Sequence, residues 1–109
     1  MIARYLVRPK ADWDLNEQAS YLARRATSDV GHRFLVAAHE AFALLAAHPE
    51  IGWQFQTTHP DLKSLRVFRV SGFEKMIVLY RRLPDGVEIL RLVHGSRNLR
   101  ALLRREGLE

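Results

Sequence analysis

Three strand-like runs separated by short turns constrain the fold of this chain more than any other feature. The runs cover about residues 64–70, 74–82 and 86–94 and are dominated by branched apolar and aromatic side chains. Ser71-Gly72 separates the first two runs, and Pro84-Asp85-Gly86 separates the last two. Both separators have the composition of hairpin turns, so the pattern predicts three consecutive antiparallel strands.

The first half of the chain predicts a strand followed by two helices. Residues 3–8 are typical of a short strand that stops at Pro9, and Pro9 or Lys10 begins a helix. A break at residues 27–29 follows, with Ser28 as the expected N-cap of a second helix that ends at His48-Pro49. The helical apolar positions are Leu15, Ala19, Leu22 and Ala26, then Phe34, Leu35, Ala38, Ala41, Phe42 and Leu45.

The remaining segments complete a single α+β domain over residues 1–109. Residues 49–63 contain two prolines and a glycine and are expected to form a loop, which Trp53 and Phe55 tether to the core. Trp13 and Trp53 are expected to be core or hairpin-packing residues. A last helix begins after Ser96. The predicted order is βααβββα, an αα-hairpin packed on a small, largely antiparallel sheet with a short C-terminal helix.

Both faces of the predicted sheet carry apolar side chains. Strict alternation puts Ile77 and Leu79 on one face of their strand and Met76, Val78 and Tyr80 on the other. On the next strand, Val87, Ile89 and Val93 oppose Leu90 and Leu92. The αα-hairpin covers one face, so the other must be covered by the last helix or by another molecule, and we infer a protein partner.

Charge is distributed unevenly along the chain. Residues 1–62 carry 6 basic and 7 acidic side chains, net −1, whereas residues 63–109 carry 11 basic and 5 acidic ones, net +6. Fourteen of the 17 basic residues are arginine, the side chain best suited to recognising phosphates and carboxylates. A basic half is compatible with a merely solvated face, a nucleic-acid surface or a dock for an acidic protein.

Several classes of protein are disfavoured by what the sequence lacks. It has no cysteine, hence no disulfide or thiolate metal site, and a cytoplasmic location is the default expectation. No run approaches the ~20 apolar residues of a membrane span. The five histidines form no close ligand pair and no phosphate-binding glycine motif is present, so neither a metal nor a cofactor is expected.

The candidate functional site lies on the three predicted antiparallel strands and on the residues that directly follow the last of them. Imidazole, phenol and clustered guanidinium groups could supply the base, acid and cations that metal-free RNA cleavage requires, or they could bind a target. Each arginine could equally be a strand residue whose stem covers apolar surface while its head stays in water. The candidate target-binding residues are Arg66, Arg69, Tyr80, Arg82, Arg91, His94, Arg97 and Arg100.

Several segments together resemble toxins of the RelE/ParE superfamily of type II toxin–antitoxin modules. They are Ala11-x-x-Asp14-Leu15, Leu44-x-x-x-His48-Pro49-x-x-Gly52, Ile77-Val78-Leu79-Tyr80-Arg81 and Ile89-Leu90-Arg91-x-Val93-His94-Gly95-x-Arg97. The resemblance runs from Tyr5 to about Leu103 and implies the βααβββα fold. It also implies an antitoxin that wraps an extended or helical segment around the toxin, placing acids against its arginines.

The resemblance leaves two activities to weigh, a ribosome-dependent mRNA endonuclease of RelE type and a DNA gyrase inhibitor of ParE type. A RelE-type catalytic arginine would fall at Ile77, and the late tyrosine or histidine near Leu103, where this chain has neither a tyrosine nor a histidine. A basic residue does occur at the remaining expected position, Arg97, so two of three positions depart. The His-Gly-x-Arg strand exit resembles the ParE branch, so a gyrase-directed binding toxin is favoured. If the chain is instead a ribonuclease, Arg91, His94 and Arg97 are the catalytic candidates. An inactive relic that only binds partners is the third possibility.

Overall fold

Two helices pack on one face of a five-stranded mixed sheet. The computed structural model describes residues 3–55 and 64–95. The helices are α1 (Pro9–Arg25) and α2 (Ser28–Ala47). The strands are β1 (Arg4–Val7), β2 (Trp53–Gln54), β3 (Leu65–Val70), β4 (Phe73–Leu83) and β5 (Gly86–His94). The predicted α+β class is confirmed, and the predicted last helix, which begins after Ser96, lies outside the described residues.

The sheet has the strand order β1-β5-β4-β3-β2. The three strands predicted from the turn signals form the antiparallel centre, each within about one residue of its expected bounds. β1 pairs with β5 in parallel, which makes the sheet mixed. The short β2 pairs antiparallel with β3, so the predicted loop at 49–63 contains a strand that the sequence pattern did not predict.

The helices begin where backbone geometry favours it. Pro9 is the first residue of α1, where its fixed φ fits the helix and its missing N–H costs nothing. Thr27, rather than Ser28, is the N-cap of α2, and its hydroxyl accepts a 3.1 Å hydrogen bond from the backbone N–H of Val30. The prediction that Ser28 caps the helix was wrong by one residue, since either hydroxyl could serve from sequence alone.

The main core lies between the helices and the sheet. Gly31 lets α2 approach α1 closely, because a Cβ there would lie 2.7 Å from the carbonyl oxygen of Ala19. Burial of each large apolar side chain contributes about 1.5–3 kcal/mol. The largest fully buried side chains of this core are Phe34, Phe42, Leu45, Val70, Val78, Tyr80, Val87 and Ile89.

A bulge in β5 changes which side chains share a face. Tyr80 pairs with Ile89 and Leu79 pairs with Arg91, so Leu90 is an extra residue without a partner on β4. Leu92 consequently joins Ile89 in the core beneath the helices, and Leu90 packs on the opposite face. The prediction that Leu90 and Leu92 share a face was wrong, because strict alternation does not survive an inserted residue.

A second, smaller apolar cluster occupies the sheet face opposite the helices. Leu65 and Leu79 are buried there, with Phe55, Val67 and Leu90 packed around them. The prediction that both faces are partly apolar is therefore confirmed, and Phe55 does contact this cluster. Trp53 and Trp13, in contrast, are 61% and 64% exposed, so the prediction that they pack in the core was wrong.

Candidate functional site

The predicted site residues that the structure describes do not form one cluster. Arg66 and Tyr80 are direct neighbours across β3 and β4, whereas Arg69 and His94 lie toward the opposite end of these strands. Arg91 is bound to α1, and Arg82 is exposed near the end of β4. Arg97 and Arg100 lie outside the described residues and stay predictions.

Tyr80 and Arg66 together hold the loop that follows α2. The Tyr80 side chain is fully buried, and its hydroxyl donates to the carbonyl oxygen of Pro49 at 2.7 Å. The same hydroxyl accepts from the N–H of Gly52 at 3.0 Å. Arg66 Nη1 donates to the carbonyl oxygens of Glu50 at 3.3 Å and Gly52 at 2.8 Å. Both side chains are thus engaged with the backbone of residues 49–52.

The environment of Tyr80 suits a structural hydroxyl rather than an acid–base group. Burial raises the pKa of the Tyr80 phenol above its ordinary value, because a phenolate would lose hydration. The Gly52 N–H and the Arg66 charge oppose that rise, while Glu50 adds to it. Near neutral pH the hydroxyl therefore keeps the proton that it donates to Pro49.

Arg91 is paired with a carboxylate of α1. Its Nε and Nη2 donate to the two oxygens of Asp14 at 2.6 and 3.0 Å. The backbone N–H of Leu92 donates to Asp14 Oδ2 at 3.1 Å. The two side chains are only 13% and 8% exposed. This two-donor arrangement joins α1 to β5 just after the bulge and neutralises the guanidinium that sequence analysis proposed as catalytic.

His94 lines an open cleft at the exit of β5. The cleft has a volume of about 460 Å³, and a carboxylate is absent from its lining within the described residues. Arg69 approaches the same exit from the opposite side, since a Cβ placed on Gly95 would lie 3.8 Å from Arg69 Nη1. That guanidinium donates to the carbonyl oxygen of Glu74 at 2.7 Å. The cleft residues are Gln18, Tyr21, Leu22, Phe73, Lys75, Met76 and His94.

A carboxylate shared by two arginines was not found by sequence reasoning. Glu88 accepts from Arg81 Nε at 2.6 Å and from Arg8 Nη1 at 3.3 Å, which links β5 to β4 and to the start of α1. Arg8 lies 80 residues from Glu88 along the chain, and Arg81 lies 7 residues from it. Only the sheet register could have revealed the triad. In the described part of the chain, Arg82 forms no ion pair, so its charge is available to a partner.

An apolar groove between α2 and β3 is the second feature that sequence reasoning missed. Its volume is about 630 Å³, and Val36 and Leu44, each 44% exposed, project from α2 into it. Among the described residues, no strand pairs with Phe68–Val70 on the side away from β4. In the described part of the chain, the unpaired backbone edge of Phe68–Val70 therefore lies beside the apolar side chains of the groove. The lining residues are Arg33, Val36, Ala37, Glu40, Ala41, Leu44, Phe68, Ser71 and Phe73.

Metal sites and membrane spans are absent from the described regions. Residues 3–55 and 64–95 contain no group of three histidine or carboxylate side chains placed to hold a metal ion. Neither α1 nor α2 has the length and apolar character needed to cross a membrane.

Comparison with known proteins identifies the family. Residues 5–99 match the model of the ParE toxin of the type II toxin–antitoxin system parDE. The structure resembles that of the chromosomal ParDE toxin–antitoxin system from P. aeruginosa, with a TM-score of 0.68 and 14% identity. That match covers 85% of this chain and 96% of the other, and at this identity it supports the fold. No match was found among curated proteins.

The fold and the family match together define a small toxin of a type II toxin–antitoxin module. The chain belongs to the ParE toxin family. The expectation that it falls in the ParE branch is confirmed, and a parDE module implies an antitoxin partner.

Proposed function

We propose that this toxin arrests growth in the cytoplasm by binding DNA gyrase, and that a cognate antitoxin neutralises it. The observation that carries the proposal is the ParE family match over residues 5–99. The family resemblance implies gyrase as the target. The chain acts here as a binding protein, with no bond made or broken by its own side chains.

Charge supports an acidic or nucleic-acid-bearing target. The chain has a formal net charge of +5, and its C-terminal half is the basic one. Exposed Arg82 and the carbonyl-bound Arg66 and Arg69 retain positive charge that no carboxylate in the described regions neutralises. Such a surface accelerates encounter with gyrase or with the DNA that gyrase holds.

The alternative of mRNA cleavage finds less support. Ile77 occupies the position where a RelE-type enzyme would place an arginine, and the Tyr80 hydroxyl is buried against Pro49. Arg91 is paired with Asp14, which lowers its capacity to stabilise a phosphorane. The expected arginine is thus replaced by Ile77, the Tyr80 hydroxyl is buried and Arg91 is neutralised, whereas His94 lines an open cleft.

The groove between α2 and β3 is the surface that best fits the antitoxin. Its apolar floor suits an amphipathic segment, and the open edge at Phe68–Val70 can accept an added strand. Arg33 and Glu40 on its rim provide charges that set the orientation of the bound segment. An antitoxin bound there would cover the exposed faces of Val36 and Leu44.

A supercoiling assay tests the target, and an affinity measurement tests the neutralisation. Toxin added to gyrase, relaxed plasmid and ATP should abolish supercoiling or accumulate cleaved plasmid. Addition of one equivalent of the antitoxin should restore supercoiling. Cleavage of ribosome-bound mRNA with normal supercoiling would establish the alternative instead.

A further inference from the structure

Two large apolar side chains are exposed where the loop after α2 enters β2. Ile51 is 42% exposed and Trp53 is 61% exposed, although they are only two residues apart. Tryptophan dominates the binding energy of many protein interfaces, because one side chain fills a deep pocket. These two exposed side chains, two residues apart in sequence, are here called the Ile51–Trp53 platform.

The backbone beneath this platform is fixed before any partner arrives. Tyr80 and Arg66 form four hydrogen bonds with the backbone of Pro49, Glu50 and Gly52: three are donated by the two side chains, and one is donated by the Gly52 N–H. Gly52 lies so close to Tyr80 that a Cβ there would overlap the phenol oxygen. A preorganised contact loses less conformational entropy on binding, which raises affinity without adding surface.

Trp53 lies on the sheet face opposite the α2–β3 groove. It pairs directly with Val67, which packs in the small cluster of Leu65 and Leu79. Cross-strand partners share a face of the sheet, whereas Phe68, the next residue of β3, packs in the core beneath the helices and lines the groove. A ligand seated in the groove therefore leaves Trp53 on the other face.

Arg66 and the overall charge of the chain favour an acidic partner. Arg66 is the cross-strand neighbour of Gln54, the residue after Trp53, and its guanidinium is bound to carbonyl oxygens. Within residues 3–55 and 64–95 no ion pair cancels its positive charge. Glu50 lies on the same loop, and the net charge of +5 over the whole chain sets the overall preference.

We propose that the Ile51–Trp53 platform is the docking surface for the protein target of the toxin, separate from the antitoxin groove. The occupant is an acidic protein surface with an apolar pocket for Trp53, and it is gyrase if the proposed function holds. Tyr80 and Arg66 act as positioning residues that hold the platform in place. This inference rests on the proposed function for the name of the target, but its surface is tested independently.

Two exposed tryptophans allow a matched experiment. Trp53→Ala should weaken gyrase binding about thirtyfold or more, the effect of losing one dominant interface residue. Trp13→Ala removes an equally exposed tryptophan from α1 and should leave gyrase binding unchanged. Both variants should bind the antitoxin as the parent does and should match it in circular dichroism and Tm.

Gly52→Ala supplies a second variant that keeps both apolar side chains. Its Cβ must displace Tyr80 or the Val67 carbonyl oxygen, from which it would lie only 2.8 Å, so the platform should shift. Gyrase binding and growth arrest should fall, while antitoxin affinity, measured on the folded fraction, should stay within about threefold.

The outcomes separate the surface from the identity of the target. Unchanged potency of folded Trp53→Ala against gyrase would overturn the platform and leave the gyrase proposal standing. Loss of antitoxin binding in Trp53→Ala would make the antitoxin the occupant and would also overturn it. If the parent chain arrests growth without affecting gyrase, gyrase is excluded as the target. Loss of that growth arrest in Trp53→Ala, but not in Trp13→Ala, would still support the platform. A parent chain that leaves growth unchanged would overturn both proposals.

Discussion

Asp14 of α1 and Arg91 of β5, separated by 77 residues, form a two-donor ion pair at 2.6 and 3.0 Å. Both side chains are largely removed from water, and Asp14 also accepts the N–H of Leu92. The pair holds α1 against the C-terminal end of β5, where His94 lines the cleft. One carboxylate thus accepts three hydrogen bonds that join α1 to β5.

Asp14→Ala should lower the free energy of unfolding by about 3–5 kcal/mol, because it leaves a largely buried guanidinium uncompensated. Urea denaturation followed by circular dichroism measures the change. Asp29→Ala is the control, since its pair with Arg33 is exposed, and it should cost less than about 1 kcal/mol. Equal losses of unfolding free energy in the two variants would show that burial of the ion pair does not increase its contribution to stability.

Tyr80→Phe should lower the free energy of unfolding by about 1–3 kcal/mol, because the N–H of Gly52 and the carbonyl of Pro49 lose their shared partner. Thermal and urea denaturation provide the measurement. Tyr21→Phe, whose side chain is 47% exposed on α1, should change stability by less than about 0.5 kcal/mol. A neutral Tyr80→Phe would contradict the supporting role assigned to the hydroxyl.

Stability should also fall in alkali because of Tyr80. Burial raises the pKa of the folded phenol, so the unfolded chain ionises first as pH rises. The contribution of Tyr80 is complete below its unfolded pKa, near 10, and is lost as pH approaches the higher folded value. The difference in unfolding free energy between the parent and Tyr80→Phe should therefore shrink above pH 10. A constant difference between pH 9 and pH 11 would contradict a raised pKa.

Leu44→Glu should weaken antitoxin binding about a hundredfold or more, because it places a carboxylate in the apolar floor of the α2–β3 groove. Calorimetric titration with the antitoxin provides the measurement. Ser20→Glu adds the same charge to an exposed position of α1 outside the groove and should leave affinity unchanged. Tight binding by Leu44→Glu would move the antitoxin to another surface.

Local patterns sufficed for both helices and for strands β1, β3, β4 and β5, but not for the short β2 or for the long-range side-chain partners. The Pro84-Asp85-Gly86 turn and the helical spacing of Leu15 and Ala19 predicted the hairpin and α1 because they depend on neighbouring residues. The bulge at Leu90 has no such local signal, and it reversed the expected facing of Leu92. A single inserted residue shifts every later side chain, and sequence alternation cannot detect it.

The candidate site was only partly predictable for the same reason. The pattern placed Arg66, Tyr80 and Arg91 on the correct strands, but it could not say where their donors point. Arg91 pairs with Asp14, and Tyr80 donates a hydrogen bond to Pro49, through contacts that depend on the register of the folded sheet. The exposure of Trp53 was not predicted, because a large aromatic side chain near a core is more often buried than exposed.

A supercoiling assay with purified toxin, gyrase, relaxed plasmid and ATP tests the proposed function most directly, run beside ribosomes programmed with mRNA. We expect loss of supercoiling or accumulation of cleaved plasmid, intact mRNA, and recovery when the antitoxin is added. Normal supercoiling together with cleaved mRNA would contradict gyrase as the target and would make His94 the first residue to substitute.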